Sequence, residues 1–194
     1  MADTELDRRH DYMAVGCTHR VYILFASDYI PVWSEILRLV LRLRQGTKVT
    51  HTHTLVAVQH TEDKLMSLYE MEYNDGMNEY ILPYESVYYS DSILKVEQTQ
   101  YNGAVRTITW NAIDVTRFIE DHQLIEERFY NAFTPVPLTP WTLLTHLLDE
   151  DDKLTWTCTG LVQVLMGFDK DQSFNHPLTP DQLHATINLM LQNS

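Results

Sequence analysis

His51-Thr52-His53-Thr54-Leu55-Val56-Ala57-Val58 has the β-branched, period-two character of a strand with one face buried. Alternate side chains of a strand share a face, so His51, His53, Leu55 and Ala57 point one way. The run from Lys64 to Tyr73 reads as the next strand. A four-residue loop, His60-Thr61-Glu62-Asp63, sets Gln59 opposite Lys64. Ala57 then faces Met66, Leu55 faces Leu68, His53 faces Glu70 and His51 faces Glu72. Apolar meets apolar and imidazole meets carboxylate. A loop one residue shorter turns the glutamates to the opposite face, so the charge match favours the longer loop.

Working outward, Arg20–Ser27 is an expected buried strand. Pro31 opens a helix whose apolar Val32, Trp33, Ile36, Leu37, Val40, Leu41 and Leu43 run to about Arg44, and Gly46 ends it. Beyond the Asn74-Asp75-Gly76 turn comes a strand at Met77–Leu82, and two more, Ser92–Thr99 and Ala104–Ala112, flank Tyr101-Asn102-Gly103. Helical patterns follow from Val115 to Phe133 and at Trp141–Leu148. Another opens around Cys158 and runs to Gly167. In the last, Thr179 is the N-cap and Pro180 the first helical residue. The expected class is α+β, an antiparallel sheet packed against a central helix that carries the cysteine. Residues 1–18 form a polar arm and 19–194 a single domain.

Three readings compete for the His/Glu patch. It is a structural cross-strand pairing, or a metal site in which His-x-His and a carboxylate offer nitrogen and oxygen to zinc or iron, or a catalytic histidine oriented by a carboxylate. The third needs a nucleophile, and Cys158 is the candidate. The residues after it, Leu161, Val162, Val164, Leu165 and Met166, are apolar almost all round, which marks an interior helix. The first turn of such a helix presents unpaired N–H groups that favour a thiolate and an oxyanion. The plainer reading of a lone cysteine is a small apolar filler.

The chain has 194 residues, with 14 Lys+Arg against 27 Asp+Glu. The stretch 49–152 carries the whole acidic excess. With no basic stripe to release counterions, binding to nucleic acid is not expected. No apolar run is long enough to span a bilayer, and the acidic start Met1-Ala2-Asp3-Thr4-Glu5 is unlike an export signal. Two cysteines, Cys17 and Cys158, make no disulfide framework. A cytoplasmic location is expected, with packaging in a virion or release by lysis if the chain is virus-encoded. Arg38 and Arg42 on the first helix read as a solvated edge, the alternative being contact with an anionic lipid surface.

The order of elements, with Thr52-His53-Thr54-Leu55-Val56 on a strand, Leu68-Tyr69-Glu70 on the next and Thr157-Cys158-Thr159-Gly160-Leu161-Val162 on a late helix, resembles the circularly permuted papain-like cysteine hydrolases. These include the permuted NlpC-type amidases and the lecithin:retinol acyltransferase group. The closing Leu178-Thr179-Pro180-Asp181-Gln182-Leu183 is also similar to that family. The resemblance spans roughly residues 20–190. It implies Cys158 as nucleophile, His53 as general base and Glu70 as orienting group, with His51 and Glu72 as secondary candidates, and no cofactor or metal. The implied substrate is a peptide, such as a cell-wall amide, or an acyl ester. The sequence departs from the family pattern at Thr54, where an apolar residue is usual, and at Thr157. The alternative is a non-enzymatic protein on the same fold, using its acidic middle to engage a basic partner.

Overall fold

The computed structural model describes residues 19–26, 38–39, 41–43, 46, 48–60, 65–72, 76–83, 87–90, 92–99, 105–119, 158–168 and 178–193. Seven strands form one antiparallel sheet: β1 (His19–Ala26), β2 (His53–His60), β3 (Leu65–Glu72), β4 (Gly76–Pro83), β5 (Val87–Ser90), β6 (Ile93–Thr99) and β7 (Val105–Asp114). Their order across the sheet is β4-β3-β2-β1-β7-β6-β5. Among the described residues, two helices follow the sheet, α1 (Cys158–Leu165) and α2 (Pro180–Asn193). The protein is a mixed α+β structure with an antiparallel sheet. The arm at 1–18 and the segments 120–133 and 141–148, read as helical, lie outside the described residues.

Strand periodicity divides the core in two. Val21, Ile23 and Phe25 of β1, Val56 and Val58 of β2 and Tyr69 of β3 pack with Leu161, Val162 and Leu165 of α1 and Leu183 and Ile187 of α2. On the other face Tyr22, Leu24, Leu55, Ala57, Met66, Leu68, Leu94, Val96 and Trp110 form a second cluster. A central strand buried on both faces must be apolar throughout. β1 meets that demand, since Val21–Ala26 are all buried.

The β2–β3 register differs from the sequence expectation by two residues. The pairs are Ala57 with Leu68, Gln59 with Met66 and His60 with Leu65, so the ladder runs to His60 and Leu65. A shift of two preserves which face each side chain occupies, so His53 and Glu70 still share a face. His60 is drawn into the strand, where its Nε2 lies 3.1 Å from Ser67 Oγ.

Three other expectations are corrected. β5 was not anticipated: Ser90 pairs with Ile93 across a two-residue turn in which Ser92 takes φ 66°, a left-handed conformation without the glycine that usually signals it. The helix expected from Val115 is a short 3₁₀ turn at Thr116–Phe118 followed by extended Ile119. Asp114 accepts bonds from the Thr116 N–H at 3.0 Å and Thr116 Oγ1 at 2.6 Å, a local arrangement that competes with helix. In the first helix Leu41 is buried, but Leu43 is turned to solvent with Arg42.

Helix ends follow their chemistry. Gly46 at φ 68° donates to the Arg42 carbonyl and closes the first helix, and Gly167 at φ 72° follows α1. At α2, Gln182 N–H bonds Thr179 Oγ1 at 3.3 Å while Gln182 Oε1 accepts from Thr179 N–H at 2.9 Å, a reciprocal capping box. Buried Gln163 of α1 accepts the Leu178 N–H at 2.9 Å and ties the two helices together. No helix among the described residues is long and apolar enough to cross a membrane.

Candidate active site

Hydrogen-bond parity explains why a cysteine fits where it does. Val115 N–H donates to the Val21 carbonyl, so odd residues of β1 bond towards β7 and even ones towards β2. On β2 the odd residues therefore bond to β1 and the even ones, Thr54 included, face β3. The β2–β3 pairing stops at Val56 with Tyr69. Beyond it the Thr54 N–H has no strand partner, and the start of α1 occupies that position, with the Cys158 sulfur accepting from the Thr54 amide. α1 thus reaches the sheet where β2 and β3 part.

His53 is the next contact of that sulfur. Its imidazole hydrogen-bonds Cys158, and its Nε2 lies 2.6 Å from Glu70 Oε1. With Nε2 committed to the carboxylate, Nδ1 is the nitrogen left for the sulfur. The His53 side chain is 15% exposed and that of Glu70 only 2%. Glu70 reaches His53 diagonally, because the register carried past its last pair, Val56 with Tyr69, sets Glu70 level with Leu55. Trp110 stands 6.2 Å from the His53 ring, centre to centre.

The electrostatics follow from this packing. Burial alone raises the thiol pKa, but the His53 charge, its hydrogen bond and the Thr54 amide and hydroxyl outweigh it, so Cys158 is held below its ordinary value. Burial lowers the His53 pKa, yet Cys158 and Glu70 together raise it to about 10. Each partner stabilises the charged form of the other.

His51 does not join this constellation. It precedes β2, and the Thr52 N–H bonds the Ala26 carbonyl although the register sets His53 opposite Ala26. That irregularity breaks the alternation assumed for a strand beginning at Thr50. His51 turns instead to α2: its Nδ1 lies 2.8 Å from Asp181 Oδ1, and its ring packs 4.7 Å from His184 and 5.4 Å from Phe25. The Asp181 carboxylate also accepts the Thr50 N–H at 2.8 Å and the His51 N–H at 3.0 Å. Burial, then the neighbouring His51, keep His184 below its ordinary pKa against the pull of Asp181. Of Glu72 only the backbone is described, and Cys17 lies outside the described residues.

His51 thus has Asp181 as a partner, and the expected pairing with Glu72 falls on a side chain outside those described. The two imidazoles of His-x-His serve different partners instead of converging. Among the described residues no group of three or more His, Cys, Asp or Glu side chains is placed to hold a metal ion. Asp181 and His184 were missed as partners of the strand. Asp181 had one visible signal, its place in the first turn of a capped helix, where a carboxylate is favoured; nothing local says which strand it would reach. No family model, curated protein or solved structure matches this chain.

Proposed function

We propose that this chain is a thiol hydrolase of the permuted papain-like type, cleaving an amide or ester bond through Cys158, His53 and Glu70. The observation that carries the reading is the placement of one buried imidazole between the Cys158 sulfur and the Glu70 carboxylate. A filler cysteine needs neither neighbour.

The chemistry follows from the contacts. The thiolate attacks the acyl carbon, and the α1 N-terminus, including the Cys158 N–H, faces the oxygen that becomes negative. His53 gives its proton to the departing amine or alcohol, leaving a thioester on Cys158. A water then gives its proton to His53 as it attacks the thioester, releasing the acid and regenerating the thiolate. Glu70 holds the ring in the orientation and tautomer that both steps require. A peptide amide, such as that of a cell-wall peptide, is the first substrate class and an acyl ester the second; both come from the family resemblance.

Iodoacetamide near pH 6 tests the reading. Cys158 should label much faster than Cys17, and His53→Ala should abolish the difference. Equal, slow labelling of both thiols overturns it. A panel of acyl amides and esters then assigns the class, with Cys158→Ala as the inactive control.

A further inference from the structure

Thr54 stands where the family pattern has an apolar residue, and its surroundings give the hydroxyl no ordinary use. Its residue exposure is 0%, and its Oγ1 lacks a hydrogen-bond partner of full geometry. A buried hydroxyl left so costs stability, and native structures usually retain such a group for a reason. Even residues of β2 project onto the face covered by α1, where Val56 and Val58 pack against Leu161 and Val162. Thr54 is the member of that row nearest the start of α1. Its amide already bonds the Cys158 sulfur.

We infer that Thr54 is a further catalytic residue, forming with its amide and hydroxyl a two-donor seat for the Cys158 sulfur anion. The inference rests on the hydrolase reading and adds a residue to it. The hydroxyl stands close to the sulfur without a fully formed bond. A thiolate is a strong acceptor, and the hydroxyl hydrogen is free to rotate towards it. The seat favours the thiolate, and it also holds the sulfur in line with the imidazole. Valine, the isosteric apolar residue, fills the same volume and keeps the amide but removes the hydroxyl. Serine restores the hydroxyl.

The test is the pH dependence of Cys158 alkylation by iodoacetamide in a Cys17→Ser background, for the Thr54 protein, Thr54→Val and Thr54→Ser, each first shown to be folded by near-UV circular dichroism. The Thr54 protein should react with a midpoint well below that of a free thiol. Thr54→Val should raise the midpoint by about one pH unit, equal to a tenfold loss of thiolate at pH values below it, and Thr54→Ser should recover most of the shift. A low midpoint that Thr54→Val leaves unmoved overturns the seat while the hydrolase reading stands. Equal displacement by Val and Ser also overturns it, since packing and not the hydroxyl would then be at work. An ordinary thiol midpoint in the Thr54 protein overturns the hydrolase reading, and the seat with it. Should Thr54→Val fail to fold, Thr54→Ala against Thr54→Ser gives the same comparison.

Discussion

His53 and Glu70 meet at 2.6 Å although they are not opposite one another in the sheet. The β2–β3 ladder ends at Val56 with Tyr69, its register carried on sets Leu55 level with Glu70, and the carboxylate leans along the strand to find the imidazole. A diagonal contact of this kind is within reach only of a long side chain. Aspartate at position 70 should therefore fail where glutamate succeeds, leaving a buried acid and a buried imidazolium apart.

Removing that acid should cost both stability and reactivity. Glu70→Ala leaves the His53 charge buried beside a single anion, and breaking a buried pair in this way costs about 3–5 kcal/mol. Urea unfolding should show the loss as a fall in midpoint. Glu70→Gln keeps an acceptor for Nε2 and should retain most of the stability, with slower alkylation of Cys158. If Glu70→Ala unfolds at the same urea concentration as the parent, the contact is not the buried pair described here.

The sign of the pH response is set by opposite shifts in two groups. His53 is raised to about 10, so its contribution to stability is complete below its ordinary value near 6.5 and disappears as pH rises through about 10. Cys158 is lowered from 9.0, so its contribution is complete above that value and is lost as pH falls through the lowered one. The ion pair therefore stabilises the fold between the depressed thiol value and about 10. Cys158→Ser removes the anion, leaving Glu70 alone to oppose burial. The NMR titration midpoint of the His53 ring should fall in that variant.

Asp181 secures the approach to the site from the other end of the chain. Asp181→Asn weakens three contacts to Thr50 and His51 at once and should destabilise by about 1–2 kcal/mol, since hydrogen bonds to a charged group are the stronger kind and this carboxylate is partly solvated. Hydrogen exchange should show Thr50 and His51 amides losing protection. The β1–β2 ladder further along should keep its own.

Gln163 offers a test of how α1 is held. Replacing it by leucine strands the buried Leu178 N–H, at a cost of about 1–3 kcal/mol. Thermal melting should drop accordingly. Cys158 alkylation near neutral pH should change little, because the start of α1 is fastened separately through Thr54 and His53.

The antiparallel strands around residues 53–82, the glycine that closes the first helix, the Thr179 cap and the shared face of His53 and Glu70 are all legible in short stretches of residues. These rest on local chemistry: period-two alternation, turn residues, capping side chains and a face parity that survives a register error of two. The remainder is non-local. The end of the β2–β3 ladder at Val56 and Tyr69 opened the place that Cys158 fills, and an irregular bond at Thr52 sent His51 to Asp181, 130 positions away. Neither leaves a trace in any short window of residues, because each depends on which element happens to pack beside an unpaired backbone group.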